Sequence, residues 1–243
     1  NLETKDFIYR TTLVPPGAGE DYTQTPFDIW GDYLVYQNDY SMKVNGVEQY
    51  PGIQLNFIRR DSLDGEIELV RSFETANNYS DAMNTPGFIH NKYAYILTRG
   101  SLLTVVDLEK AIDPANSEED CVVFRDTWKP EEITERQLFW TKNIIFEDGV
   151  CYYQGWGAVT ARSIASIEAG TELENEPLWR FRAFEGRFRS KGTMISTPQG
   201  ILDVDPDGPV WLIDKETGIQ KWECLATVLE NDNPVNNWAR PVV

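Results

Sequence analysis

Asp203-Val-Asp205-Pro-Asp207-Gly208 is the run whose residue types and spacing best suit a metal ion. Three carboxylates at alternating positions followed by glycine resemble the opening of a calcium loop, and Asp214 falls at the twelfth position, where a carboxylate is expected. Calcium is therefore the ion this pattern would take. The competing reading is a plain turn. Pro206-Asp207-Gly208 closes a hairpin without metal, because Pro presets φ and Gly adopts the angles that side chains resist. An EF-hand also needs flanking helices, and helix signals are sparse; Pro130 to Arg136 reads as one short turn within a loop. No cofactor is expected, and calcium is not expected to bind tightly.

Other side chains point to binding rather than catalysis. Trp156 stands between Gly155 and Gly157, and an indole in a polar loop is a common partner contact. The basic cluster runs from Arg180 to Lys191; strand alternation sets Phe181 and Phe188 against its arginines, so Arg187 and Arg189 would hold an anion or offset neighbouring acids. Tyr79 and Trp128 are aromatics of two further long loops. His90 is the sole histidine. It sits at a hairpin turn with no evident acid or base partner, and no nucleophile elbow accompanies it. The three cysteines, Cys121, Cys151 and Cys224, lack metal-ligand spacing and allow at most one disulfide. Cys151, in an apolar strand, reads as a buried thiol.

A formal net charge of −17 over 243 residues argues against nucleic-acid binding, since no domain-wide basic surface exists. It suits a secreted or periplasmic protein, free or surface-anchored. No apolar run is long enough to span a membrane as a helix. Aromatics at 12% favour strands over helices.

The elements that must position these residues repeat. Val210-Trp-Leu-Ile-Asp214-Lys-Glu-Thr217-Gly218-Ile-Gln-Lys-Trp222 is a strand, a tight turn and a second strand carrying a large aromatic. Ile58 to Gly65 keeps the aspartate as Asp61 and the glycine as Gly65. Val105-Val106-Asp107 keeps the aspartate, with a polar loop from Ala111 to Asp120 in place of the turn. Ile164 to Gly170 keeps the glycine, aligns Ser166 with the aspartate, and delays its aromatic to Trp179. The anchors recur at about 50 residues, the size of a four-stranded propeller blade. Each anchor follows a tight hairpin, as at Trp30 to Tyr36, His90 to Ile96, Glu147 to Tyr153 and Pro198 to Val204. A unit is thus strand a, tight turn, strand b, loop, strand c, anchor turn, strand d.

The Asp-x-x-Thr-Gly-x-x-x-Trp segment resembles the PQQ-like repeat of quinoprotein-type β-propellers. The resemblance implies an all-β fold of four-stranded blades, at about 27–74, 87–127, 137–184 and 188–228, in a single domain spanning 1–243. It also implies that Trp179 and Trp222 pack between neighbouring blades. Residues 6–14 and 236–243 read as loose strands. Either they share an incomplete closing blade, or the chain is part of a larger propeller, which is the favoured alternative. Quinone enzymes with this repeat carry an adjacent cysteine pair over the cofactor; none occurs here, so the resemblance carries architecture and not activity.

The expected function is a non-catalytic, extracytoplasmic binding or scaffolding propeller, like the lipoprotein scaffolds of outer-membrane assembly that share such repeats. It would recognise a protein or glycan through the face where the b–c and d–a loops lie: Met42 to Gly52, Thr75 to Pro86, Thr127 to Gln137 and Gly155 to Ala161. The alternative is a propeller enzyme, a glycan hydrolase or lyase or a quinoprotein-type dehydrogenase.

Overall fold

A computed structural model of the protein describes residues 22–24, 28–44, 47–59, 69–74, 87–97, 103–126, 144–155, 158–170, 176–182, 193–204, 209–225, 229–230 and 233–234. They form antiparallel sheets in sequence order. The first contains β1 (Tyr22–Gln24), β2 (Asp28–Trp30), β3 (Tyr33–Val44), β4 (Val47–Arg59) and β5 (Leu69–Glu74). Strands β1 and β2 pair with successive stretches of one edge of β3, so together they occupy the place of strand a.

The second sheet is β6 (Gly87–His90), β7 (Tyr93–Leu97), β8 (Leu103–Asp107) and β9 (Val122–Arg125). The third is β10 (Ile144–Glu147), β11 (Val150–Gly155), β12 (Ala158–Ser163) and β13 (Trp179–Arg182). The fourth is β14 (Thr193–Thr197), β15 (Gly200–Val204), β16 (Pro209–Ile213) and β17 (Gln220–Leu225). Each pairs a with b, b with c and c with d. A short pair, β18 (Leu229–Glu230) and β19 (Asn233–Pro234), follows.

Strand a meets b through two-residue turns, and Asn91 and Asp148 there have φ of 56° and 50°. Asn and Asp are the non-glycine residues that tolerate this left-handed region best. Strand c meets d differently in each unit. Between β8 and β9 lie α1 (Leu108–Ala111) and α2 (Glu118–Cys121), and α3 (Ile164–Glu168) follows β12. The polar loop expected over 111–120 is therefore partly helical. Its helices start where the sequence supplies caps: Asp107 accepts from the backbone of Glu109 and Lys110, and Ser117 forms a capping box with Asp120. Pro130 to Arg136 lies outside the described residues.

Alternating residues of each sheet pack on the sheet before and the sheet after. Val35, Leu55 and Phe57 of the first sheet meet Ala94, Ile96 and Val106 of the second. Tyr95, Val105 and Phe124 of the second meet Cys151, Tyr153 and Ile167 of the third. Tyr152, Ala161 and Trp179 of the third meet Met194, Ile201, Trp211 and Ile213 of the fourth.

The two repeat tryptophans differ. Trp179 is 8% exposed, within the third core, whereas Trp222 is 43% exposed. The expected burial of Trp222 is corrected: its face of the fourth sheet meets no further sheet among the described residues. Trp179→Ala should cost roughly 3–5 kcal/mol, and Trp222→Ala in this chain less than about 1 kcal/mol. Urea melts of the two variants measure both; equal losses would contradict the difference in packing.

Candidate functional site

The repeat anchors are structural devices. Asp214 Oδ1 accepts from the backbone N–H of Glu216 at 3.0 Å and of Thr217 at 2.9 Å, and from the Thr217 hydroxyl at 3.0 Å. Asp107 does the same for α1, and Ser163 Oγ accepts from Ser166 N–H. Register places Ser163 opposite Val150 as Asp107 stands opposite Tyr93, so Ser163 is the anchor of the third unit and Ser166 is one of the residues it caps. In the first unit the same register falls on Arg59, opposite Tyr33; Asp61 and Gly65 lie outside the described residues. Gly170 and Gly218 close their turns at φ 66° and 70°.

Salt links tie the same end of the second and fourth sheets together. Lys92 spans Asp107 at 3.1 Å and Glu109 at 2.8 Å. Lys221 spans Asp214 at 2.9 Å and the Gln199 carbonyl at 2.7 Å. Between sheets, the last residue of strand a meets the c–d connection of the next sheet. His90 Nδ1 lies 3.1 Å from Glu168 Oε1, with its ring stacked on Phe146. Glu147 pairs with Lys215 at 2.7 Å and accepts from Ser196. Trp30, the last residue of β2, and Ile112, in the c–d connection of the second sheet, both pack against the first core. His90 is thus a half-buried inter-sheet contact with an acidic partner rather than an unpartnered turn residue. No Ser, Thr or Cys nucleophile is among its described hydrogen bonds.

A second polar cluster is buried. Asp126, just past β9, accepts from Tyr153 OH and from Arg180 Nη2 at 3.0 Å, and Arg162 Nη2 stands 3.6 Å away. Arg162 Nε donates to Tyr153 OH at 2.9 Å and its guanidinium lies over Phe124. Burial, reinforced by the Asp126 charge, raises the Tyr153 phenol well above its ordinary range. Burial likewise raises the Cys151 thiol, which is inert as expected. All three cysteines are free thiols.

These groups set a pH profile. Lys221, then the Thr217 hydrogen bonds, hold Asp214 well below the usual carboxylate range, and Lys215, then Ser196, lower Glu147. A lowered folded-state pKa stabilises above the unfolded value, near 4, and that gain is lost as pH falls. The raised Tyr153 has the opposite sign: its contribution is complete below about pH 10 and is lost above. The melting temperature should be flat between these limits and fall on both sides. An acid limb identical in a Lys215→Met, Lys221→Met double variant would contradict the carboxylate assignment.

Of the expected binding residues, only Asp203 is described. It is a buried member of β15 that accepts from Gln154 Nε2 across the third and fourth sheets, so its carboxylate serves the interface rather than a loop. Asp205, Asp207, Tyr79, Trp128, Trp156, Arg187 and Arg189 lie outside the described residues. The connections carrying them are all b–c or d–a connections, and antiparallel topology brings these to one end of every sheet. No group of three or more metal-ligating side chains occurs among the described residues.

At that same end the first sheet differs from the others. Strands β3 and β4 run 12 and 13 residues, against 5 for β7, 6 for β11 and 5 for β15. The segment expected as a loop, Met42 to Gly52, is thus largely a β-hairpin, with Met42 opposite Gln49, Lys43 opposite Glu48 and Val44 opposite Val47. At roughly 3.4 Å per residue it extends about 20 Å past a five- or six-residue strand. Strand β1 flanks it only as far as Asn38–Tyr40, and β5 only from Gln54. Among the described residues, the outer part has two unpaired edges. Asn45-Gly46, between Val44 and Val47, was the sequence signal for it, being the dipeptide most typical of a two-residue hairpin.

Neither a protein-family model nor a curated protein matches the sequence. Solved structures do. BamB from Moraxella catarrhalis superposes with a TM-score of 0.50 over 84% of this chain and 66% of its own, at 10% identity. Raptor from Chaetomium thermophilum gives 0.50 over 87% of this chain and 17% of its own, at 9% identity. The fold is a β-propeller. Each four-stranded sheet is therefore a blade, and the chain spans less than two thirds of either propeller protein's length. At such low identity the likeness extends to the fold alone.

Proposed function

We propose that this chain is a PQQ-like propeller that works as a non-catalytic scaffold, binding a protein partner at the end where the b–c and d–a connections lie. The carrying observation is the β3–β4 hairpin, which extends past its blade with unpaired edges at that end. Exposed strand edges offer rows of N–H and C=O groups that an extended peptide can pair with, and this favours a protein over a glycan. Tyr79, Trp128, Trp156, Arg187 and Arg189 belong to connections at the same end and would supply side-chain contacts around the hairpin. Lys92, Asp107, Glu147, Asp214, Lys215 and Lys221 at the opposite end hold turns and blades together, which supports the choice of end. The acidic composition and the repeat support a place outside the cytoplasm.

The test shortens the hairpin by replacing Ser41–Pro51 with Asn-Gly and compares co-purified proteins from the native source. The variant should melt within about 3 °C of the parent, since the removed part extends past the length of the other blades' strands. It should lose a partner that the parent retains at stoichiometric yield. Equal retention of that partner by a folded variant would overturn the reading.

A further inference from the structure

The two edges of the β3–β4 hairpin are not equivalent. Val44 stands opposite Val47 across a two-residue connection. Residues flanking such a turn exchange both of their backbone hydrogen bonds, and the pattern then alternates along the ladder. Val44 and Met42 therefore turn their N–H and C=O groups toward β4, and Lys43 and Ser41 turn theirs toward the outer edge of β3. The same alternation turns the backbone of Glu48 outward on β4.

Only the β3 edge continues a strand position that the fold already uses. Strand β1 pairs antiparallel with that edge, Tyr22 opposite Tyr40, Thr23 opposite Asp39 and Gln24 opposite Asn38. A guest strand beside Ser41–Val44 would lie end to end with β1 and on its track. The β4 edge is blunted. Ahead of Gln54, where β5 begins to pair, it carries Pro51, which has no N–H, and an extra residue at the register shift opposite Tyr40–Met42. Prolines and bulges are the means by which edge strands resist pairing. Charge narrows the guest further. The chain has 39 acidic against 22 basic residues, so its field attracts a positively charged segment and repels a second copy.

We infer that, on the reading of the hairpin as the partner site, the outer edge of β3 from Ser41 to Val44 takes an extended, positively charged segment of the partner protein, paired antiparallel in line with β1. Main-chain bonds at Ser41 and Lys43 supply the affinity, so the site tolerates variation in the segment's side chains.

The probes are peptides enriched from a phage-displayed random library by selection against the intact protein. They are titrated against the parent, the shortened hairpin, Lys43→Pro and Glu48→Pro. Each proline removes one outward N–H and leaves the bonds between β3 and β4 in place, so both variants should melt close to the parent. The enriched peptides should be basic and should not bind the shortened hairpin. They should weaken about tenfold or more with Lys43→Pro and stay within about twofold with Glu48→Pro. In the parent, peptide binding should slow hydrogen exchange at the Lys43 amide and not at that of Glu48, a measurement that needs no variant. Equal losses in the two proline variants, or a larger loss with Glu48→Pro, would overturn the choice of edge and leave the hairpin as the partner site. Slow exchange at Lys43 before any peptide is added would also overturn it, by showing the edge already paired. Hairpin-dependent peptides that are acidic would overturn the charge of the segment. Peptides that bind the shortened hairpin as well as the parent would overturn the hairpin as the partner site, and this edge with it.

Discussion

Gly218→Ala should be strongly destabilising. The residue has φ 70°, and an added Cβ would come within 2.6 Å of Trp179 Cδ2. The left-handed angle alone costs a side chain roughly 1–3 kcal/mol, and forcing the Trp179 ring out of its seat adds about 1–3 kcal/mol of overpacking. The far end of a flexible side chain could yield, but an indole held by a hydrogen bond to Lys215 and buried between two blades cannot move without opening the third core. Urea melts should show a loss of several kcal/mol, and Gly218→Asn, which tolerates the angle but not the contact, should fare little better. A variant within 1 kcal/mol of the parent would mean that Trp179 does not rest on this turn.

Asp126→Ala is the second large effect. Its carboxylate stands among Arg162, Arg180 and the Tyr153 hydroxyl, all largely buried between the second and third blades. Removing one partner of a buried ion pair leaves the other charge uncompensated and typically costs about 3–5 kcal/mol. Asp126→Asn should lose less, because the amide oxygen still accepts from Tyr153. If Asp126→Ala melts like the parent while Arg180→Ala does not, the cluster is organised by other contacts than these.

The architecture was legible because one unit states it without ambiguity. Asp214, Thr217, Gly218 and an aromatic four residues on define a turn chemistry that side chains and backbone then satisfy as written. Less faithful units misled by a few residues. Ser163 and Ser166 are both competent caps, and only the pairing of β12 with β11 shows which one caps the other. The helices at 108–111 and 118–121 hide in a stretch of mixed polarity because each is one turn long, too short for apolar periodicity to register. Trp222 carries the same local signal as Trp179, and its exposure depends on what packs beyond it, which no local pattern encodes. His90 and Glu168 are 78 residues apart, so their contact follows from blade stacking alone. The hairpin was misjudged for the opposite reason: Asn45-Gly46 was plainly readable, but Pro51 and Gly52 on its return strand read as loop residues. A bulge between Tyr40 and Met42 lets the ribbon continue past them.

The central claim is that partners engage the hairpin end of the propeller. Site-specific photo-crosslinking in the native source tests it most directly, with the reactive side chain placed at Lys43 on the hairpin or at Glu216 on the opposite end. The account predicts a discrete protein adduct from position 43 and none from position 216. Adducts from position 216 alone, or the same adducts from both, would contradict it.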